Sequence, residues 1–267
     1  MNRAAAALVV GFAFLLLLAC RSSSEPAPEP IATPVRPAFA DATVIAPVLP
    51  EGTAQLVTAI VDDWTATRAT LRLWRREYGA WHADGEAWAG VVGRNGTAWG
   101  AGLHGGGAPA GRAGPVKREG DGKAPAGAFT LHRSFGYAAA PPAGTRLPYV
   151  AVDPSWKCVD DPASAHYAEI LDERGVTVDW KSAEDMRRRD ELYAWVVDIG
   201  HNAARAPNGG SCIFFHVWQG EDSVTSGCTA MAEPRLAKLL AGLDPTAVYV
   251  LLPRSEYAAL AAAWGLP

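Results

Sequence analysis

Cys228 is the residue whose setting best suits covalent chemistry. It lies in Thr225-Ser226-Gly227-Cys228-Thr229-Ala230-Met231, beyond a loop and just ahead of a helix that Glu233-Pro234 begins. A free thiol titrates near pH 8.5, so its use as a nucleophile at neutral pH calls for a neighbour that takes its proton. His216, twelve residues upstream in an apolar β run, is the candidate. It is expected to pair with the thiolate as an ion and then to carry the proton to and from the reacting groups. Gly227 permits close backbone approach, and the amides of Gly227 and Cys228 are expected to face one spot as an oxyanion hole, supported by Ser226 and Thr225. Trp218 and His201 are candidates for a substrate groove. His201, near Asp198 and Asn202, reads first as an exposed loop histidine and only second as a binding residue.

The other cysteines are Cys20, Cys158 and Cys212. With Cys20 set aside for lipid attachment, three remain, and an odd number outside the cytoplasm leaves at least one free thiol. Cys212 alternates with Phe214 and His216 on one strand face and reads as a buried apolar thiol. A Cys158–Cys212 bridge stays open, because connectivity does not follow from sequence. No cysteine–histidine spacing matches a usual pair of metal ligands, so no metal is expected. The glycine-rich stretch 100–114 lacks the patterns of phosphate and dinucleotide loops; it reads as a flexible loop, and no cofactor is expected. Asp160-Asp161-Pro162 reads as a turn rather than a carboxylate pair.

These residues need a framework, and the pattern for it is mainly β. Gln55 to Val61, Ala69 to Tyr78 and one or two strands within Trp81 to Gly93 make an antiparallel meander, with Asp84-Gly85 and Asn95-Gly96 as hairpin turns. Further strands are expected at Ala128–Leu131, Tyr149–Val152, Leu192–Ile199, Cys212–Trp218 and Thr246–Leu252. Residues 153–180 read as loop, and Ser182 to Asp190 as a short helix capped by Ser182. Helices from Glu233 to Leu240 and from Ser255 to Trp264 close the chain. The expectation is one mainly β domain over 51–267, a mixed sheet or sandwich with a few short helices toward the C-terminus.

The start of the chain has a different character. Arg3 precedes an apolar run of 16 residues, Ala4 to Ala19, shorter than the roughly 20 that a permanent span uses. Residues 1–19 therefore read as an export signal. Leu17-Leu18-Ala19-Cys20 resembles the lipobox of bacterial lipoproteins, which implies lipid on Cys20 and a protein anchored to a membrane without spanning it. Residues 20–50, rich in Pro and Ala, read as a tether. Arg21 after the lipidated cysteine, in place of Asp, leans toward an outer-membrane destination; the expected setting is the periplasm or cell envelope. A net charge of -4 with scattered basic residues argues against a nucleic-acid partner.

Two segments in order, Lys117-Arg118-Glu119-Gly120-Asp121-Gly122-Lys123-Ala124-Pro125-Ala126-Gly127-Ala128-Phe129 and His216 followed by Thr225-Ser226-Gly227-Cys228, resemble the signature of L,D-transpeptidases of the YkuD type. The first looks like the family's Lys-x-Glu-Gly-Asp-x-x-x-Pro-x-Gly-x-Phe turn and strand. The likeness spans roughly residues 50 to 253. Ser226 stands where many members have His, and Ala230 where many have Arg or Asn. The resemblance implies a YkuD-like fold in which the Cys228 thiolate attacks a peptide carbonyl in a peptidoglycan stem peptide, expels D-alanine and forms a thioester. An amine of a second stem then completes an L,D cross-link. Water as acceptor implies an L,D-carboxypeptidase, and cleavage of another amide an endopeptidase or amidase. A wall-binding lipoprotein without catalysis is the alternative from a different class.

Overall fold

Long runs of buried β-branched and aromatic residues set the frame. A computed structural model describes residues 48–267; the expected export signal, Cys20 and nearly all of the expected tether lie outside the described residues. The first strands are β1 (Gln55–Val61), β2 (Arg68–Glu77), β3 (Ala80–Ala83), β4 (Trp88–Val91) and β5 (Thr97–Trp99). The glycine-rich stretch carries the two-residue strands β6 (Ala101–Gly102) and β7 (Gly105–Gly106), ahead of the long β8 (Ala124–Gly136). Then come β9 (Tyr149–Ala151), β10 (Trp156–Val159), β11 (Ile170–Asp172), β12 (Ala183–Asp185), β13 (Trp195–Ile199), β14 (Phe214–Val217) and β15 (Thr229–Met231). Helix α1 (Glu233–Gly242), β16 (Val248–Pro253) and helix α2 (Arg254–Trp264) complete the chain.

With 36% strand against 11% helix, and both α-helices at the C-terminal end, the domain is mainly β as expected. Its large sheet runs β1-β16-β8-β13-β14-β15-β4-β2, and β2 pairs back onto β1. The strands thus close into a barrel-like ring, not clearly the sandwich that was one expected form. Ring closure removes the exposed edges that an open sheet would present. Strands β1 and β16 pair in parallel, as do β14 and β15.

The ring has apolar packing on both faces. Val57, Phe129, Phe215, Tyr249 and Leu251 face one cluster, covered by Leu236, Leu239 and Leu240 of α1. Leu56, Trp99, Val250 and Leu252 face the other, covered by Leu260 and Trp264 of α2. That double burial explains why β1 and β16 read as continuous apolar runs. Pro234 sits in the first turn of α1, where the missing N–H costs nothing.

Four sequence-based expectations fail for identifiable reasons, the first being the hairpin at Asp84-Gly85, since β3 and β4 each pair with β2 and not with each other. Asn95-Gly96 does form a turn, with the Gly96 amide bonded to Gly93 O at 2.8 Å. It does not make a hairpin, since β5 leaves to pair in parallel with β8. Residues 153–180 are not loop throughout: β10 pairs with β11 on one side and with β12 on the other, a separate three-stranded sheet. The expected helix at Ser182–Asp190 is replaced by β12. Met186 is the one large apolar side chain in that stretch, too little for an amphipathic helix face, and Cys158 pairs with Glu184 across the ladder.

Candidate functional site

The parallel pair β14 and β15 brings the two candidate catalytic residues together. Phe215 lies opposite Thr229 and His216 opposite Ala230. Opposed residues share a face and alternate along the strand, so Phe214, His216, Cys228 and Ala230 occupy one face. The Phe214 amide donates to Cys228 Sγ at 3.4 Å, which fixes the register one step further back. Cys228 and His216 are therefore diagonal neighbours, and no hydrogen bond joins them.

Each residue is held by local geometry. The His216 Nδ1 lies 2.7 Å from Val217 O. A carbonyl oxygen only accepts, so Nδ1 carries the proton and Nε2 is the basic nitrogen. Thr225 Oγ1 donates to Cys228 O at 2.7 Å and accepts from the Gly227 amide at 3.1 Å, closing a tight turn ahead of the cysteine. Glycine keeps that turn uncrowded: a Cβ at Gly227 would lie 3.0 Å from Lys123 O and 3.1 Å from Ile213 Cδ1, so a neighbour would have to give. Arg94 Nη1 donates to Ser226 Oγ at 2.9 Å. The Gly227 amide, expected to face an oxyanion, is committed to Thr225 instead.

The charge states also differ from the expected ion pair. Cys228 is 6% exposed, and burial pushes its thiol well above the ordinary range. The nearby Glu184 adds to that rise, while the Phe214 amide, Lys117 and Arg188 oppose it. The thiol donates to Cys212 O at 3.3 Å. Burial lowers His216 to about 4; the Val217 carbonyl and Asp190 oppose the drop and Arg188 adds to it. Both groups are thus neutral at pH 7, a thiol beside a free imidazole base.

The surroundings contain residues that the motif spacing alone did not single out. Cys158 and Cys212 are joined as a disulfide, so Cys212 is not the free buried thiol that was favoured. The bridge ties β10 to the segment that presents its carbonyl to Cys228. Lys117 is buried and donates from Nζ to Asp121 Oδ1 and Arg118 O, each at 2.7 Å. Its Cε would lie 3.8 Å from a Cβ at Gly227, so this cation backs the turn beneath the thiol. Glu119 Oε2 accepts from Tyr167 Oη at 2.6 Å and from Ser211 Oγ at 2.7 Å, tying the Lys117 segment to the loop before β14. The Lys-x-Glu-x-Asp spacing at 117–121 held that signal, as side chains of opposite charge and complementary hydrogen bonding in one turn.

His201 is buried rather than exposed. Nδ1 accepts from the Ala101 amide at 3.2 Å, and Nε2 lies 3.0 Å from Gly209 O. Desolvation lowers it to about 4. It braces the loop from Gly200 to Ile213, in which Asn202, Arg205, Asn208 and Cys212 all take left-handed backbone. Trp218 lines a cleft with Arg68, Trp88 and Glu221 that does not include Cys228 or His216. His201 lines a different cleft, with His132, Glu169 and Asp198. Among the described residues no group of three or more His, Cys, Asp or Glu is arranged to hold a metal ion.

No protein-family model, no curated protein and no solved structure matches this chain.

Proposed function

We propose that this protein is a cysteine acyltransferase of the L,D-transpeptidase type, in a YkuD-like fold, acting on peptidoglycan stem peptides. The observation that carries the reading is the juxtaposition on one face of β14 and β15 of a thiol and an imidazole whose Nδ1 is tied to Val217 O at 2.7 Å. The turn Thr225-Ser226-Gly227 behind the thiol and the Lys117–Asp121 pair beside it fit the two motifs of the resemblance. The lipid anchor at Cys20 and the tether belong to the same reading, which places the catalytic domain within reach of the wall.

The chemistry starts from a neutral pair. As the substrate carbonyl reaches Cys228, Nε2 of His216 takes the thiol proton and Sγ attacks. The tetrahedral intermediate collapses with transfer of that proton to the departing D-alanine amine, leaving a thioester. An acceptor amine then attacks the thioester, His216 again takes a proton, and the thiol is regenerated. With water in place of the amine the same steps give a carboxypeptidase. A neutral base is suited to both half-reactions, because it needs no prior deprotonation at pH 7.

Incubation with tetrapeptide muropeptides followed by mass spectrometry tests this. Release of D-alanine, with a cross-linked or trimmed product, is expected from the wild type and is abolished by Cys228→Ala. His216→Gln is expected to lower the rate by about 100-fold, the scale of general-base contributions. Absence of every such product overturns the enzyme reading. The burial of Cys228 favours one other reading, a wall-binding protein without catalysis, which predicts retention on isolated wall that Cys228→Ala leaves unchanged.

A further inference from the structure

His216 lacks a carboxylate at Nδ1; its partner is a neutral backbone carbonyl. Something else must fix the plane of the ring, and the segment ahead of β13 supplies it twice. The Val217 amide donates to Leu192 O at 2.9 Å, which anchors the residue whose own carbonyl holds Nδ1. The next residue, Tyr193, is buried, and its ring meets the His216 ring edge-on at 5.3 Å between centroids. The same ring meets Phe214 edge-on at 5.8 Å, and the Phe214 amide contacts Cys228 Sγ. One aromatic ring therefore meets the imidazole directly and reaches the thiol through Phe214.

Tyr193 is itself pinned. Its hydroxyl donates to Glu184 Oε2 at 2.6 Å, and the Arg188 guanidinium lies over its ring at 5.1 Å while paired with Asp190. Glu184 stands opposite Cys158 in the small sheet, and Cys158 is bridged to Cys212, whose carbonyl accepts the Cys228 thiol. Imidazole, tyrosine, carboxylate, disulfide and thiol thus lie along one continuous chain of contacts.

We propose that Glu184 and Tyr193 are a positioning pair that orients His216 for proton transfer at Cys228. The proposal rests on Cys228 and His216 acting together as described above. Tyr193 works through packing and Glu184 through its hold on the tyrosine hydroxyl; neither touches the reacting atoms. Buried aromatic contacts of this kind restrict a ring without adding a charge next to it. A charged partner at Nδ1 would raise the imidazole's basicity, and a tyrosine does not.

The test is a double-mutant cycle on the full chain, read by the rate of Cys228 alkylation with iodoacetamide from pH 6 to 10. This readout needs no substrate, so it is separate from the question of peptidoglycan chemistry. The groups facing Cys228 over that range are Glu184, Lys117, Arg188, Tyr193 and Tyr249, and those facing His216 are Arg188 and Asp190. Tyr193→Leu is expected to slow alkylation at pH 7.5 by about tenfold, a tenth or less of a typical general-base contribution. His216→Gln on top of it is expected to cost less than it does alone, because the ring is already mis-set. Tyr193→Phe keeps the ring but frees it from Glu184, so it is expected to slow alkylation by about threefold, less than Tyr193→Leu does. Glu184→Gln keeps an acceptor for the hydroxyl but removes a charge near the thiol, so its profile moves to lower pH. Additive effects of Tyr193→Leu and His216→Gln in folded protein overturn the proposal. Should Tyr193→Leu not fold, additive effects of Tyr193→Phe and His216→Gln overturn it instead. If muropeptides yield no product while the cycle is non-additive, the positioning role stands and the substrate assignment falls.

Discussion

The ring of strands and the small sheet beside it are held by different forces. In the ring, β1, β8 and β16 bury apolar side chains on both faces, and each pairs with neighbours along most of its length. In the small sheet, three strands of three or four residues carry few large apolar groups. They are secured by the Cys158–Cys212 bridge, by Glu119 and Glu184 accepting from Tyr167 and Tyr193, and by Asp161 accepting from the Ala163 and Lys181 amides. The hydrophobic effect is non-directional and tolerates rearrangement; hydrogen bonds to specific oxygens do not. The candidate site lies where the two regions meet, with its strands from the ring and its packing partners from the small sheet.

The largest expected effect comes from the ring. Phe129 is fully buried and packs against Tyr249 and His201. Phe129→Ala is expected to cost about 3–5 kcal/mol, transfer and cavity terms together, seen as one shift of the whole urea transition. If 156–185 stayed folded while the ring unfolded, the two regions would be independent and the comparison would fail.

Next is the bridge. It closes a loop across a sequence separation of 54, and the double variant Cys158→Ser, Cys212→Ser is expected to lose roughly 2–4 kcal/mol. Here the loss should be local. Hydrogen exchange is expected to speed up over β10 to β12 and at 200–213 while β1, β8 and β16 keep their protection. Uniform loss of protection would show that the small sheet and ring unfold as one unit.

What was legible in the sequence follows the same division. Strands β1, β2, β13, β14 and β16 announce themselves, because burial of both faces or alternation leaves a pattern in residue type. That Cys228 and His216 come onto neighbouring strands was legible from the motif. The small sheet was not: its strands are too short for periodicity to register, and what fixes Glu184 is a tyrosine nine residues away and a ladder partner 26 residues upstream. The charge state of the site was hidden for a related reason. An ion pair was expected from the chemistry of the residues, but burial decides it, and burial comes from tertiary packing.

Acid is expected to act on the side of the molecule around the site. His201 and His216 are both buried with pKa values lowered to about 4, against about 6.5 unfolded. A group kept neutral by the fold contributes stability that is present above its unfolded pKa and is lost as pH falls toward its folded value. Going from pH 7 to 5, each histidine is expected to cost roughly 2 kcal/mol. Asp198 works in the opposite direction: burial raises it to about 6, so its protonation returns on the order of 1 kcal/mol over the same interval. A net fall of about 3 kcal/mol in the urea-derived stability is expected. A flat profile between pH 7 and 5 would mean that these imidazoles reach water more freely than their packing indicates.

The smallest effect is the sharpest comparison, because one substitution type should change sign between the regions. Ala128 sits inside β8 with no exposure, and its backbone is ordinary strand. Ala128→Gly adds chain entropy to the unfolded state and removes a packed methyl, so a loss of about 1 kcal/mol is expected. Ala168 lies between β10 and β11 with a φ of 61°, and its amide bonds Val159 O at 2.8 Å. A side chain in that left-handed conformation costs about 1–2 kcal/mol, which glycine does not incur. Against this stands the entropy penalty of glycine, roughly 0.5–1 kcal/mol. Ala168→Gly is therefore expected to gain about 0.5 kcal/mol, measurable as a higher urea midpoint at unchanged slope. A loss at both positions would show that the backbone of the small sheet is not strained at Ala168, and that its hydrogen bonds hold it without opposing cost.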